Sequence, residues 1–173
     1  LDRLAQGFND YDDAIAAGGG AVVALAELQR TAAEVTRSAS GWIAKQRAPW
    51  FLWVHYYDPH LPYSAPANRE RAGVTDPYDA EIAYVDEQIG LLLNGVDRTR
   101  TAVVLTADHG EALGDHGEED HGYFIYDATL RVPLIIAAPR TAPRVVTEQV
   151  RSIDIVPTIE ALAEVGADGV EGL

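Results

Sequence analysis

The stretch Thr101-Ala-Val-Val-Leu-Thr-Ala-Asp108-His109-Gly110-Glu111 constrains this chain more than any other. Four of the five residues from Ala102 to Thr106 are apolar, and they run straight into an acid, an imidazole and a glycine. Such a run predicts a buried parallel strand that ends in a tight loop. In open α/β sheets, ligands sit just beyond the carboxyl ends of the strands. An Asp and a His side by side at that edge offer a metal one hard oxygen and one borderline nitrogen. Two more histidines, His116 and His121, follow within twelve residues of His109.

The 173 residues are enough for a substantial core, and a hydrophobic content of 47% marks a globular chain. The net charge of −14 argues against nucleic acid as a partner, because no basic stripe exists to release counterions; its simplest meaning is a solvated surface. Without cysteine, a disulfide scaffold and a thiolate metal site are both excluded. No stretch approaches the ~20 apolar residues of a membrane span, and no signal peptide is visible. The chain opens on Leu1 and contains no methionine, so it reads as an internal piece of a longer protein, and its oligomeric state is left open.

Hydropathy patterning predicts alternating helices and strands. Gly18-Gly19-Gly20 breaks the chain, and a helix is expected from about Ala21 to Lys45, with Leu25, Leu28, Ala32, Val35, Ala39 and Trp42 on one stripe and Pro49 as its stop. Trp50 to Tyr57 reads as a buried strand and Asp58 to Tyr63 as a proline-bearing loop. Asp76-Pro77 starts a second helix that runs to about Asn94 and buries Ile82, Val85, Ile89, Leu92 and Leu93. After the strand at 102–106, Arg131–Ala138 reads as another strand and Val145–Val150 as a short last one. Asp154 is expected to cap a helix carrying Ile155, Val156, Ile159 and Leu162 that ends at Gly166. The alternation predicts an α/β fold: a mostly parallel sheet sandwiched by helices.

All five histidines lie between residues 55 and 121, and four of them follow predicted strands, the distribution a site at a sheet edge produces. Each has a plainer alternative. Asp108-His109 could be a turn in which Asp makes a local backbone bond. His60 could simply pack between prolines. His55 alternates with Val54 and Tyr56 and fits either a core imidazole or a site. His116 lies in the acidic run 115–120 and reads as a solvated loop residue. His121 is open to a structural role. Glu111 and Asp115 either orient imidazoles or stand exposed. A divalent ion on Asp108 and His109 would neutralise charge on a tetrahedral oxyanion, and a nearby histidine would hydrogen-bond it or protonate a leaving oxygen. That chemistry suits sulfate or phosphate ester hydrolysis. Two ligands fall short of the six or so that Ca²⁺ or Mn²⁺ takes, and no activated nucleophile is evident.

The segments Phe51-Leu-Trp-Val-His-Tyr-Tyr-Asp-Pro-His-Leu-Pro-Tyr63, Tyr78-Asp-Ala-Glu-Ile-Ala-Tyr-Val-Asp86, Val104-Leu-Thr-Ala-Asp-His-Gly-Glu111, Leu113-Gly-Asp-His-Gly117, His121-Gly122, Tyr126-Asp-Ala-Thr-Leu-Arg-Val-Pro-Leu-Ile-Ile136 and Val150-Arg-Ser-Ile-Asp-Ile-Val-Pro-Thr158 carry a resemblance in their order and spacing. Over most of residues 50–165 the chain resembles the C-terminal part of the catalytic domain of a sulfatase, in the alkaline-phosphatase-like superfamily. The resemblance implies a single partial domain over residues 1–173 with a truncated fold of that type. It implies that Asp108 and His109 are a pair of metal ligands, with Ca²⁺ the first choice and Mn²⁺ or Zn²⁺ as alternatives. His60 is implied beside the ester and His121 on the substrate, with His55 at a further position of the site. The implied substrate is a small-molecule or carbohydrate sulfate ester.

The family's first metal-binding aspartates and its nucleophile, a Cys or Ser that becomes formylglycine in a motif with Pro and Arg, are expected only in a missing N-terminal part. The chain alone is therefore expected to lack turnover and to fold weakly, with an uncovered sheet edge. Many sulfatases carry Asn where His109 stands. Histidine is usual there in metal-dependent phosphodiesterases and phosphoglycerol transferases of the superfamily, which keeps a phosphate ester open. A non-catalytic binding module is the third reading.

Overall fold

The computed structural model describes residues 4–14, 29–63 and 74–165. The chain divides into two compact units, Leu1–Val96 and Asp97–Leu173.

In the first unit, helix α1 spans Ala32–Ile43 and helix α2 spans Pro77–Leu93. Thr31 sets the start of α1 with a capping box: its hydroxyl accepts from the Glu34 amide, and the Glu34 carboxylate accepts from the Thr31 amide at 2.9 Å. The helix therefore begins later than its apolar stripe suggests; Leu25 and Leu28 of that stripe lie outside the described residues. Asp76 caps α2 as expected, its side chain accepting from the amides of Tyr78 and Asp79, with Pro77 at the first helical position.

The two helices pack together, and the face α2 buries is not its apolar stripe. Ala80, Glu81, Tyr84, Gln88 and Leu92 are buried, whereas Ile82 is 44% exposed. Hydrogen bonding selects this face. The Tyr84 hydroxyl accepts from the Ala33 amide at 3.1 Å, satisfying one of the donors that every helix start leaves open. The Thr36 hydroxyl donates to the Gln88 carbonyl from the α1 side. Small buried residues on both helices, Ala32 and Ala39 on α1 and Ala80 on α2, permit that approach.

Trp50–Tyr57 does not form the expected buried strand. It is extended and alternates, with Leu52, Val54 and Tyr56 half-buried and Phe51, Trp53 and His55 exposed, Trp53 by 67%. The period of two is present, but among the described residues no neighbouring strand supplies a ladder. Side chains anchor the segment instead: Tyr56 shares a hydrogen bond with Thr36 at 2.9 Å, and Asp58 Oδ2 accepts from the Ala32 amide at 2.7 Å.

Burial pushes the Asp58 carboxyl above the usual carboxylate range, more than the Ala32 amide pulls it down. A raised acid favours the protonated folded state. Its contribution to stability is present below the ordinary carboxylate pKa and is lost as pH rises through the folded value. Asp58→Asn keeps an acceptor for Ala32 and cannot ionise. The variant is expected to be more stable than the parent at pH 7 and equal to it near about pH 3. Urea unfolding at the two pH values measures this, and a parallel pH dependence in both proteins would exclude it.

In the second unit, strand β1 (Val103–Thr106) pairs with strand β2 (Leu134–Ala137), with Val103 opposite Ala137 and Thr106 opposite Leu134. Both strands fall where expected, but the pair is antiparallel and not parallel. A parallel crossover usually carries the chain back through a full helix. Between these strands stand only a 3₁₀ turn at Asp115–Gly117 and the four-residue helix α3 (Asp127–Leu130), so the chain returns beside β1 in the opposite direction. Among the described residues this two-stranded sheet is the only one, and the helix-sandwiched parallel sheet is not seen in them.

No strand forms at Val145–Val150. Helix α4 covers Ile155–Ala163, preceded by a 3₁₀ turn at Ser152–Asp154. Asp154 stands at the helix start as expected but does not cap it with its side chain. Its carboxylate reaches back to the Arg151 amide at 2.8 Å, closing the 3₁₀ turn. The expected stop at Gly166 lies outside the described residues; α4 ends at Ala163, with Glu164 left-handed at φ 58°. No helix among the described residues is long and apolar enough to cross a membrane.

Candidate active site at the end of β1

β1 delivers Asp108 and His109 two and three residues after its last paired position, Thr106. Both are exposed, and Asp108 Oδ1 lies 3.9 Å from His109 Nε2. His109 Nδ1 is 2.8 Å from the Gly110 carbonyl. A carbonyl only accepts, so Nδ1 carries the proton, and in the neutral ring Nε2 keeps the lone pair. The local turn bond is present as well, with the His109 amide donating to Asp108 Oδ1 at 3.1 Å.

Gly110 locks the loop to the rest of the unit. Its amide donates to the Thr129 carbonyl at 2.8 Å, and a Cβ built on it would sit 2.1 Å from the Ala128 carbonyl oxygen. Only glycine fits so close an approach of two backbones.

The chain then leaves and returns. Ala112 is buried and its amide donates to the Asp120 carbonyl, while the Gly114 amide donates to the Glu118 carbonyl at 2.8 Å. Glu118 is buried, and its Oε1 accepts from the amides of Tyr123 and Phe124. These bonds bring His121 back against His109, where the rings stack with centroids 3.9 Å apart. His121 Nδ1 lies 2.8 Å from Asp120 Oδ1 and 3.2 Å from Glu111 Oε1. Carboxylates accept, so that nitrogen carries the proton. Glu111 is itself well covered, with a side chain only 8% exposed.

Two donor groupings therefore share one loop. Asp108 and His109 form the first; at 3.9 Å their donor atoms fall within the span of two bonds of roughly 2.0–2.6 Å to one cation. The chemistry of that donor set, one carboxylate and one imidazole fixed in the tautomer that exposes a lone pair, fits a divalent ion. Glu111, Asp120 and His121 form the second, with potential ligand atoms within 4.8 Å of one another.

His116 is exposed, as expected of a loop residue. Its ring stacks on Tyr126 at 3.9 Å and its Nε2 is 4.0 Å from Asp115. His55 and His60 belong to the first unit. His55 is exposed, so the core placement considered for it is not adopted. His60 is half-buried beside Tyr57, its Nδ1 2.7 Å from the Leu61 carbonyl.

Asp120, and Glu111 as a direct partner of His121, are the residues that sequence reasoning did not place. A signal for them exists. The tripeptide Asp-His-Gly occurs three times, at 108–110, 115–117 and 120–122. The first and third copies converge, and the second carries its histidine to Tyr126.

A family model described as Sulfatase matches residues 11–165. Among similar proteins, the uncharacterized sulfatase YidJ of Escherichia coli (strain K12) is 41% identical over 85 residues, which are 47% of this chain and 17% of that protein. The choline-sulfatase of Rhizobium meliloti (strain 1021) is 35% identical over 97 residues, 54% of this chain and 19% of that protein. The iduronate 2-sulfatase of Mus musculus is 38% identical over 88 residues, 48% of this chain and 16% of that protein. The chain thus spans less than one fifth of the length of these relatives.

Proposed function

The chain belongs to the sulfatase family, and we propose that it forms the C-terminal part of the catalytic domain of a sulfuric ester hydrolase. Such a domain has the α/β fold of the alkaline-phosphatase-like type, in which a larger, mostly parallel sheet would surround the β1 edge. Asp108 and His109 are two ligands of a divalent cation, Ca²⁺ in the first instance and Mn²⁺ or Zn²⁺ otherwise. When bound, that cation neutralises negative charge on the ester oxygens.

The chain's own residues orient the ester and manage its protons. His121, its Nδ1 proton held between Glu111 and Asp120, presents a ring of fixed orientation to the substrate anion. His60, its Nδ1 proton on the Leu61 carbonyl, stands beside the ester and, as the imidazolium, gives its Nε2 proton to the leaving oxygen. His55 is a further exposed imidazole with a part in the same chemistry. The substrate is a small-molecule or carbohydrate sulfate ester. The nucleophile, a formylglycine, lies outside these residues, which contain neither Cys-x-Pro-x-Arg nor Ser-x-Pro-x-Arg.

The observation that carries this reading is the convergence of Asp108, His109 and His121 beyond the end of β1, with both imidazole tautomers set by hydrogen bonds. The imidazole at position 109 favours a second reading, hydrolysis or transfer of a phosphate ester.

An aryl sulfate and a bis-aryl phosphate, each assayed with the full-length polypeptide with and without chelator, separate the two. Cation-dependent hydrolysis of the sulfate is expected, with none from residues 1–173 alone. Turnover by residues 1–173 alone would place the nucleophile inside them, and exclusive action on the phosphate would install the second reading.

A further inference from the structure

We infer that Glu81 is a positioning residue for His60. The inference rests on the reading that His60 meets the ester. Glu81 sits on the second turn of α2, one of the most buried groups described, at 3% exposure. Its Oε2 accepts from the His60 backbone amide at 3.0 Å. A carboxyl group in such a place is unfavourable unless hydrogen-bonded, and alanine or leucine would fill it without that penalty. A packing role alone therefore does not account for an acid at this position. Its acceptor is aimed at the backbone of the one histidine in the Pro59-His60-Leu61-Pro62 loop.

The loop is held from two sides. Asp58 ties its front to the first turn of α1 through the Ala32 amide, and Glu81 ties His60 to α2. The ring is then set by short-range contacts that depend on this backbone placement. Nδ1 bonds the Leu61 carbonyl at 2.7 Å, and the ring lies against Tyr57 with centroids 4.4 Å apart. Without the Glu81 oxygen the amide loses a buried partner, the peptide shifts to find another, and both ring contacts move with it. A displacement of about 1 Å in a reacting group lowers rates on the order of 10²-fold.

Kinetics of the full-length polypeptide on an aryl sulfate test this with E81A, E81Q, E81D, H60A and the double variant E81A/H60A. E81A is expected to lower kcat roughly 10- to 100-fold with KM within about threefold, the size seen when a group that orients a reactive side chain is removed. E81Q, which keeps an oxygen acceptor, should recover most of the rate. E81A/H60A should be no slower than H60A, because both substitutions disable one group. Should E81A fail to fold, E81D serves in its place: it withdraws the acceptor by one methylene and should lower kcat in the same way.

Full kcat in E81A, or in E81D where it stands in for E81A, or a double variant slowed by the product of the single losses while H60A is impaired, would overturn the positioning role and leave His60 in place. Full activity of H60A would remove the role of His60 itself, and the inference with it.

Discussion

Asp108→Ala is expected to lower aryl sulfate turnover by the full-length polypeptide by roughly 10²–10³-fold, the loss that follows removal of one group stabilising charge in a reaction of this kind. Asp108 Oδ1 and His109 Nε2 are 3.9 Å apart, so the substitution takes away half of the donor pair at the end of β1. It also removes the acceptor for the His109 amide, and the imidazole loses part of its support. Two readouts go together. Calorimetric titration with Ca²⁺ should show a weakened site, and unfolding should be little changed because the Asp108 side chain is exposed by 75%. Unaltered turnover, or unaltered cation binding beside lost turnover, would detach the metal role from this residue.

Gly110→Ala is expected to destabilise the second unit by about 3 kcal/mol, the upper range for forcing an extra carbon into a packed interior. The added Cβ would meet the Ala128 carbonyl oxygen at 2.1 Å and the Thr129 Cα at 3.3 Å, backbone atoms with no freedom to turn aside. The φ of Gly110 is not in the left-handed region, so conformational freedom is not what the position needs; space is. Relief of the clash pushes the loop off α3 and stretches the bond from the Gly110 amide to Thr129. Chemical denaturation measures the loss. A midpoint equal to that of the parent would mean that the loop and α3 do not sit this close.

Much of the site was legible because it is local. An apolar run ending in Asp-His-Gly places a strand, its exit and two donors within a few residues, and β1 with Asp108 and His109 follows that outline. The Asp76-Pro77 start of α2 is legible for the same reason, since a cap acts on the next two or three amides. What could not be read depends on partners far away in sequence. The direction of β2 is set by how residues 107–133 return, and hydropathy carries no sign for that. The buried face of α2 is chosen by Tyr84 and Gln88 bonding to α1, some fifty residues earlier, against the local apolar stripe. The extended segment 50–57 has strand-like alternation, but a ladder requires a second chain segment that its own pattern cannot supply. Asp120 is hidden inside an acidic run, where charge conceals which carboxylate turns toward a histidine.

The excursion from Glu111 to Asp120 is closed at its base by backbone bonds, while Leu113, Gly114, His116 and Gly117 stand outward in left-handed conformations. Lengthening such a tip adds only the slowly growing entropy of a longer loop. Natural variation can therefore lengthen or rebuild this tip while Asp108, His109 and His121 below it keep their spacing. Surface shape and donor spacing are thereby free to change separately within fifteen residues of chain.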